Sequence, residues 1–204
     1  MIQSIFCFLG LPGTGKGTQA AILAKDLGYF HLVAGDLVRE LCAEGVSVKD
    51  PAHQAVIDRY RHGTPQPDSV INKIVFDKMF SLGSGKGIIF DSYPLSMGQL
   101  SAVEEFSKGE KIRDFRVFHL VVPEAELVDR LAKRYLVVEG ESGAKELTRR
   151  ADDAPEVAKK RIATYRERLV PLLDFYREKG VLVDVEGQGS IEEVHARILG
   201  ELKK

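Results

Sequence analysis

"IQSIFCFLGLPGTGKGTQAAILAKDLG", residues 2–28, decides the fold. Ile2 to Leu9 is an apolar run closed by a glycine, and it reads as a buried strand. Residues 16–27 set Ala20, Leu23, Ala24 and Leu27 on one helical face, and Gly28 supplies the stop. Between the two stands G-x-x-x-x-G-K, Gly10 to Lys16. Strand, glycine-rich turn and helix in that order make an anion cradle. The glycines let several backbone N–H groups converge on one point. The first turn of the helix adds a positive field, and Lys16 adds a full charge for outer phosphates. The hydroxyl that usually follows the lysine directly is displaced by one position, because Gly17 precedes Thr18.

The same alternation continues outward. A short strand is expected around Tyr29 to Leu32. Helices are expected over Asp36–Glu44, Pro51–His62 and Asp68–Phe80, with "GTPQPD", residues 63–68, as the turn before the last. Gly87–Asp91 and Phe115–Val122 read as strands. Pro123 opens a helix carrying Leu127, Val128, Leu131 and Tyr135. Residues 136–149 lose the pattern and read as an excursion over the surface. Pro155–Lys179 reads as a long helix that Pro171 should kink or interrupt. Val181–Val185 is a last strand, and Ser190 with Glu193 forms a capping box for a final helix. Strands alternating with helices predict a parallel sheet covered on both faces. The excursions at 34–66 and 134–150 are too short for cores of their own.

Composition narrows the function by exclusion. The chain has 29 basic and 30 acidic residues, so no charge imbalance points to nucleic acid or an anionic membrane. Cys7 and Cys42 form no CxxC and read as reduced packing residues of a cytosolic protein. No apolar run approaches membrane-spanning length, and the N-terminus has no basic leader or cleavage site. The histidines, His31, His53, His62, His119 and His195, show no ligand spacing.

Several motifs taken in order resemble one family. "GLPGTGKGTQ" resembles the phosphate loop of adenylate kinases and other nucleoside monophosphate kinases. "HLVAGDLVRE" (31–40) is similar to the start of that family's monophosphate-binding segment, and "HGTPQPD" to the turn that closes it. "IIFDSYPLSMGQ" falls where the family has an apolar strand, Asp-Gly-Phe-Pro-Arg and a glutamine. "DRLAKR", "RRADD" and "KKRI" match its later arginine motifs. The resemblance implies an α/β fold of the phosphate-loop kinase type: a five-stranded parallel sheet with helices on both faces, a small monophosphate-binding insert and a short lid. The core would be 1–33, 67–133 and 151–204, the insert 34–66 and the lid 134–150. The implied reaction is ATP plus AMP giving two ADP. UMP or CMP is the alternative acceptor, and a nucleotide-binding regulatory protein with weakened kinase activity is a second alternative. The implied partners are free nucleoside mono-, di- and triphosphates, with Mg²⁺ as cofactor and neither nucleic acid nor membrane, for a cytoplasmic monomer.

The resemblance also implies roles. Gly10, Gly13, Thr14, Gly15, Lys16, Gly17 and Thr18 would cradle the ATP phosphates. Arg130 would face the transferred group, and Arg134 would flank ATP. Ala34, Gly35 and Gln66 would line the monophosphate site, Arg39 would grip its phosphate and Gln99 would read its base. Arg150 and Arg161 would clamp the phosphates from the other side, completing a catalytic set with Lys16 and Arg130. Asp91 would hold Mg²⁺ through water, with Asp36 nearby and Thr18 as a second donor. Asp152 and Asp153 would close against the lid. Phosphoryl transfer suits this composition, because the protein's task is to position and neutralise crowded anions. Arg59, Arg61, Arg116, Arg166, Arg168 and Arg177 match nothing in the family and read as solvated surface.

Three positions depart from the pattern. Ala34 replaces the usual threonine, as in pyrimidine-preferring relatives, yet Gln99 is the residue of the AMP-specific members. Ser92 and Leu95 replace the glycine and the phosphate-binding arginine. One lost charge-assisted contact costs roughly 1.5–3 kcal/mol, about one to two decades of affinity. Weak acceptor binding is therefore expected, with Leu95→Arg lowering the acceptor KM. The stretch from Arg134 to Arg150 lies between the family's minimal and long lids, and it has no cysteines for zinc.

Overall fold

A computed structural model describes residues 4–42, 51–61, 66–82, 87–109, 112–133, 136–139, 145–148 and 155–204. For 51–53, 61, 109, 136–139, 145–148, 155–157 and 161 it describes the backbone alone. The strands are β1 (Ser4–Leu9), β2 (Phe30–Val33), β3 (Ile88–Asp91), β4 (Asp114–Val121), β5 (Leu136–Glu139), β6 (Lys145–Thr148) and β7 (Leu182–Glu186). The helices are α1 (Lys16–Leu27), α2 (Ala34–Leu41), α3 (Pro51–Arg61), α4 (Asp68–Ser81), α5 (Met97–Gly109), α6 (Glu124–Ala132), α7 (Pro155–Glu178) and α8 (Ile191–Leu202).

Five strands form one parallel sheet in the order β2-β3-β1-β4-β7. β1 is buried throughout, so its pleat sorts side chains between two apolar layers. Ile5, Cys7 and Leu9 join Ile88, Phe90 and residues of α4, α5 and α7, including Val75, Val103, Leu169 and Leu172. Phe6 and Phe8 turn the other way, onto Ala20 and Leu23 of α1 and Val194 and Ile198 of α8. Leu127 and Leu131 of α6 pack on Ala158 and Ile162 of α7 in a smaller third cluster. The expected α/β architecture with helices on both faces is thus the observed one. Leu27, placed on the buried face by its spacing, is 38% exposed because it ends α1. Burial of Cys7 raises its thiol pKa far above the ordinary range.

Two elements were not expected from the sequence. Residues 136–149 contain an antiparallel ribbon pairing Leu136 with Thr148 and Glu139 with Lys145. Each strand has four residues, too few for alternation to stand out from a glycine-containing loop. α5 was also missed, although "SMGQ" spells its start. The Ser96 hydroxyl accepts the Gln99 N–H at 3.1 Å, and the Ser96 carbonyl accepts the Leu100 N–H, the geometry of a serine N-cap. Pro171 does not interrupt α7, which is assigned as one helix of 24 residues. Ser190 and Glu193 form the expected capping box. Among the described residues no helix is long and apolar enough to cross a membrane.

All five strands of the main sheet point the same way, so the ends of β1, β2 and β3 share one edge. Ligands of open parallel sheets bind outside that edge. There the chain leaves a cleft of about 780 Å³.

Candidate active site

The phosphate loop forms one wall. Gly13 and Gly15 have φ of 91° and 88°, in the left-handed region, where a side chain is strained. The Thr14 hydroxyl donates to the Leu11 carbonyl at 2.9 Å. Thr14 is 3% exposed and braces the loop from beneath. Gly10 likewise lies under the loop, where an added Cβ would stand 2.9 Å from the Leu120 carbonyl oxygen. Gly13, Gly15, Lys16, Gly17 and Thr18 line the cleft itself. Lys16 Nζ rests 3.4 Å from the Leu11 carbonyl oxygen.

Gly17 has a specific cause. A Cβ there would stand 2.8 Å from Asp91 Oδ2. The carboxylate at the end of β3 therefore packs directly on the helix that opens after the loop. This explains why glycine separates Lys16 from Thr18. It also fixes Asp91 beside the loop, as its place at the end of an apolar strand predicts.

Ser92 and the residues after it hold the next wall. Ser92 has φ of 58°, a conformation natural to glycine and uncommon for serine. Its N–H donates to the Phe8 carbonyl and its hydroxyl donates to Asp91 Oδ1 at 3.1 Å. The serine keeps the glycine's backbone shape and adds a hand on the carboxylate. The Tyr93–Pro94 peptide is cis. Gln99 is 7% exposed. Its Oε1 accepts the Leu95 N–H at 2.7 Å, and its Nε2 donates to Asp68 Oδ1 at 3.0 Å. A backbone donor on one side and a carboxylate on the other fix the amide's orientation. Ser96 donates to the second oxygen of Asp68. Gln99 lines the cleft, but most of its bonding capacity holds the turn that starts α5.

Ala34, Gly35, Asp36 and Arg39 come from the first turns of α2, next to the end of β2. Arg39 is ion-paired with Asp36, three residues earlier. Gly35 lies under the Arg39 guanidinium, 3.4 Å from where its Cβ would be. His31 of β2 also reaches the cleft. Desolvation lowers its pKa against the opposing pull of Asp91 and Asp36, and its buried Nε2 has no hydrogen-bond partner among the described residues. Gln66 donates Nε2 to the Val56 carbonyl at 2.9 Å, while its buried Oε1 has no partner among the described residues. Arg130 is held by Glu126 at 3.2 Å and by the Gly187 carbonyl at 3.1 Å, and it faces the cleft beside Leu131.

Asp91, the exposed Thr18 and open solvent give hard oxygen donors without a nitrogen or sulfur ligand. That set fits Mg²⁺, which is commonly held by one or two carboxylates together with substrate phosphates and water. Among the described residues no three His, Cys, Asp or Glu side chains gather as a metal cage.

The adenylate kinase family model matches residues 8–181. Proteins named adenylate kinase are similar over almost the whole chain. The one from Dehalococcoides mccartyi is 36% identical, covering 96% of each chain. The one from Thermus thermophilus is 35% identical, over 96% of this chain and 95% of its own. The one from Parasynechococcus marenigrum is 37% identical, over 97% of each.

The chain belongs to the adenylate kinase family.

Against the adenylate kinase pattern, the structure brings Lys16, Thr18, Ala34, Gly35, Arg39, Gln66, Asp91, Gln99 and Arg130 to one cleft. Arg134, Arg150, Asp152 and Asp153 lie outside the described residues, and Arg161 is described only by its place in α7. Two side chains of α7, Tyr165 and Arg168, line the cleft unannounced by the family comparison. The only signal for them in the sequence is helical: both lie on the edge of α7 next to its buried stripe of Ile162, Leu169 and Leu172.

Proposed function

We propose that this chain catalyses Mg²⁺-assisted transfer of the γ-phosphoryl group of ATP to AMP, giving two ADP. One observation carries the assignment: the phosphate loop and the Ala34–Arg39, Gln66 and Gln99 side open into the same cleft. A donor triphosphate on the first and an acceptor monophosphate on the second would meet there. An oxygen of the AMP phosphate attacks the γ-phosphorus in line. The new P–O bond forms as the bond to the β,γ-bridging oxygen breaks, and that oxygen leaves on ADP.

The loop N–H groups and Lys16 hold the donor phosphates, and Arg130, braced by Glu126, turns its charge toward the transferred group. Arg39 meets the acceptor phosphate once its bond to Asp36 is exchanged for the ligand. Mg²⁺ bound with ATP neutralises phosphate charge, and Asp91 and Thr18 are the residues that would hold it. These roles are electrostatic and positional, as a loose phosphoryl transition state requires.

The separate two-stranded ribbon supports treating 134–150 as a lid whose closure excludes water, the competing acceptor. Residues 34–66 then serve as the monophosphate-binding insert on a core of 1–33, 67–133 and 151–204. The protein works as a cytoplasmic monomer on free nucleotides, with neither nucleic acid nor membrane as partner. A coupled assay with ATP, Mg²⁺ and AMP, CMP, UMP or GMP tests the assignment. Turnover highest with AMP is expected. No turnover with any of the four, beside intact ATP binding, would sink it; turnover only with a pyrimidine monophosphate would move the acceptor assignment to UMP or CMP.

A further inference from the structure

We infer that Arg168 binds the acceptor phosphate, in the place left without charge by Leu95. The inference rests on the phosphotransferase assignment above and names a residue it did not contain.

The cleft has to accept two anionic nucleotides, yet part of its wall beside Asp91 is apolar. Leu95 offers no cation there, and its N–H is already taken by Gln99. Among the described residues, four cations line the cleft: Lys16, Arg39, Arg130 and Arg168. Lys16 belongs to the donor loop. Arg130 is held by Glu126 and Gly187, and Arg39 is paired with Asp36. Arg168 makes no ion pair or hydrogen bond within the described structure. Its neighbours on α7 show the contrast: Arg166 pairs with Glu124, and Arg177 with Asp174 and Asp184. Those arginines are neutralised surface residues, whereas Arg168 presents an uncompensated guanidinium to a cavity built for anions.

Its position is held firmly. The adjacent Leu169 is 3% exposed and packs in one cluster with Tyr93 and Leu100, which bracket Leu95 in sequence. α7 and the segments on either side of Leu95 therefore share one apolar cluster. A guanidinium carried on a packed helix loses little further freedom on binding, and its planar fork suits a phosphate's oxygens. Leu95 then supplies apolar contact while the charge arrives from the facing helix.

The test separates phosphate recognition from folding and from the assignment itself. Wild-type turnover with AMP tests the assignment. For Arg168, binding of AMP and of adenosine is measured by titration calorimetry on the wild type and Arg168→Gln, so no readout depends on turnover. Arg168→Gln should weaken AMP by about tenfold or more, the loss of one charge-assisted contact, and leave adenosine within about twofold. In assays, KM for AMP should rise while KM for ATP stays. Leu95→Arg should recover AMP affinity in the Arg168→Gln background and change it little in the wild type, in place of the gain expected from Leu95 taken alone. Equal losses for AMP and adenosine would make Arg168 structural and overturn the inference. So would unchanged AMP affinity in Arg168→Gln, or a Leu95→Arg gain as large with Arg168 present as without it.

Discussion

The two walls of the cleft, one proposed for the donor and one for the acceptor, are built in opposite ways. The donor wall is one continuous piece of chain, Gly10 to Thr18, whose shape follows from its own glycines and the helix after it. The acceptor wall is assembled from α2, the Gln66 turn, the Asp91–Gln99 loop and one edge of α7. A wall made of one segment has its shape set by its own backbone. A wall made of four segments lets a charge move from one to another. Leu95 and Arg168 are read here as such a move.

The largest effect should therefore come from the donor wall. Lys16→Met removes the loop's own full charge at a position no other described segment duplicates. It should lower kcat by about a hundredfold to a thousandfold with the fold intact, as checked by steady-state assays and circular dichroism. A loss below tenfold would show that the donor wall, too, shares its charge among segments.

Asp91 joins the two walls, since one oxygen packs on Gly17 and the other accepts from Ser92. Asp91→Asn should raise the Mg²⁺ concentration for half-maximal activity by about tenfold to a hundredfold and leave AMP affinity near the wild-type value. An unchanged Mg²⁺ requirement would remove Asp91 from the ion's surroundings.

How far the site could be read in advance follows the same division. That the loop, Asp91, Arg39 and Arg130 line one cleft was legible because each lies inside a short motif. The sheet was legible because its central β1 and β3 are nearly continuous apolar runs and all its strands alternate with helical repeats. Arg168 was not legible. In sequence it is one of several exposed arginines on a long helix, and only the fold, which buries the adjacent Leu169 in the core, shows that it lines the cleft. Gln99 was half legible. Its place in the site was foreseen, but its bonds to Leu95 and Asp68 depend on a residue 31 positions away. The 136–139 and 145–148 ribbon was hidden because its strands are too short to show a period.

Gln99 sharpens the comparison within the acceptor wall. If it only read the base, Gln99→Leu would change affinity alone. Because it satisfies a backbone N–H and a partly buried carboxylate, the variant should also lose about 1–3 kcal/mol of stability, read from urea unfolding. Arg168→Gln, exposed and unpaired, should leave the unfolding midpoint in place. An unaltered midpoint in Gln99→Leu would mean that water replaces the amide without cost.

The smallest effect concerns His31, which sits between the walls. Burial lowers its pKa, and Asp91 and Asp36 only partly offset that. The charged ring would carry a donor at Nε2, for which there is no acceptor among the described residues. The folded protein therefore keeps the ring neutral at a pH where the unfolded chain, with an ordinary pKa of about 6.5, already takes a proton. Above that value the ring costs nothing. As pH falls below it, the unfolded state binds more protons and stability declines, until the lowered folded pKa is passed. His31→Gln removes this contribution, so the difference between unfolding midpoints at pH 7.5 and pH 5.5 should shrink in the variant. Any carboxylate contribution to the decline is common to both proteins and cancels in the comparison. A difference that persists in full in His31→Gln would mean that Asp91 and Asp36 balance burial, and a larger difference in the variant would mean that they outweigh it.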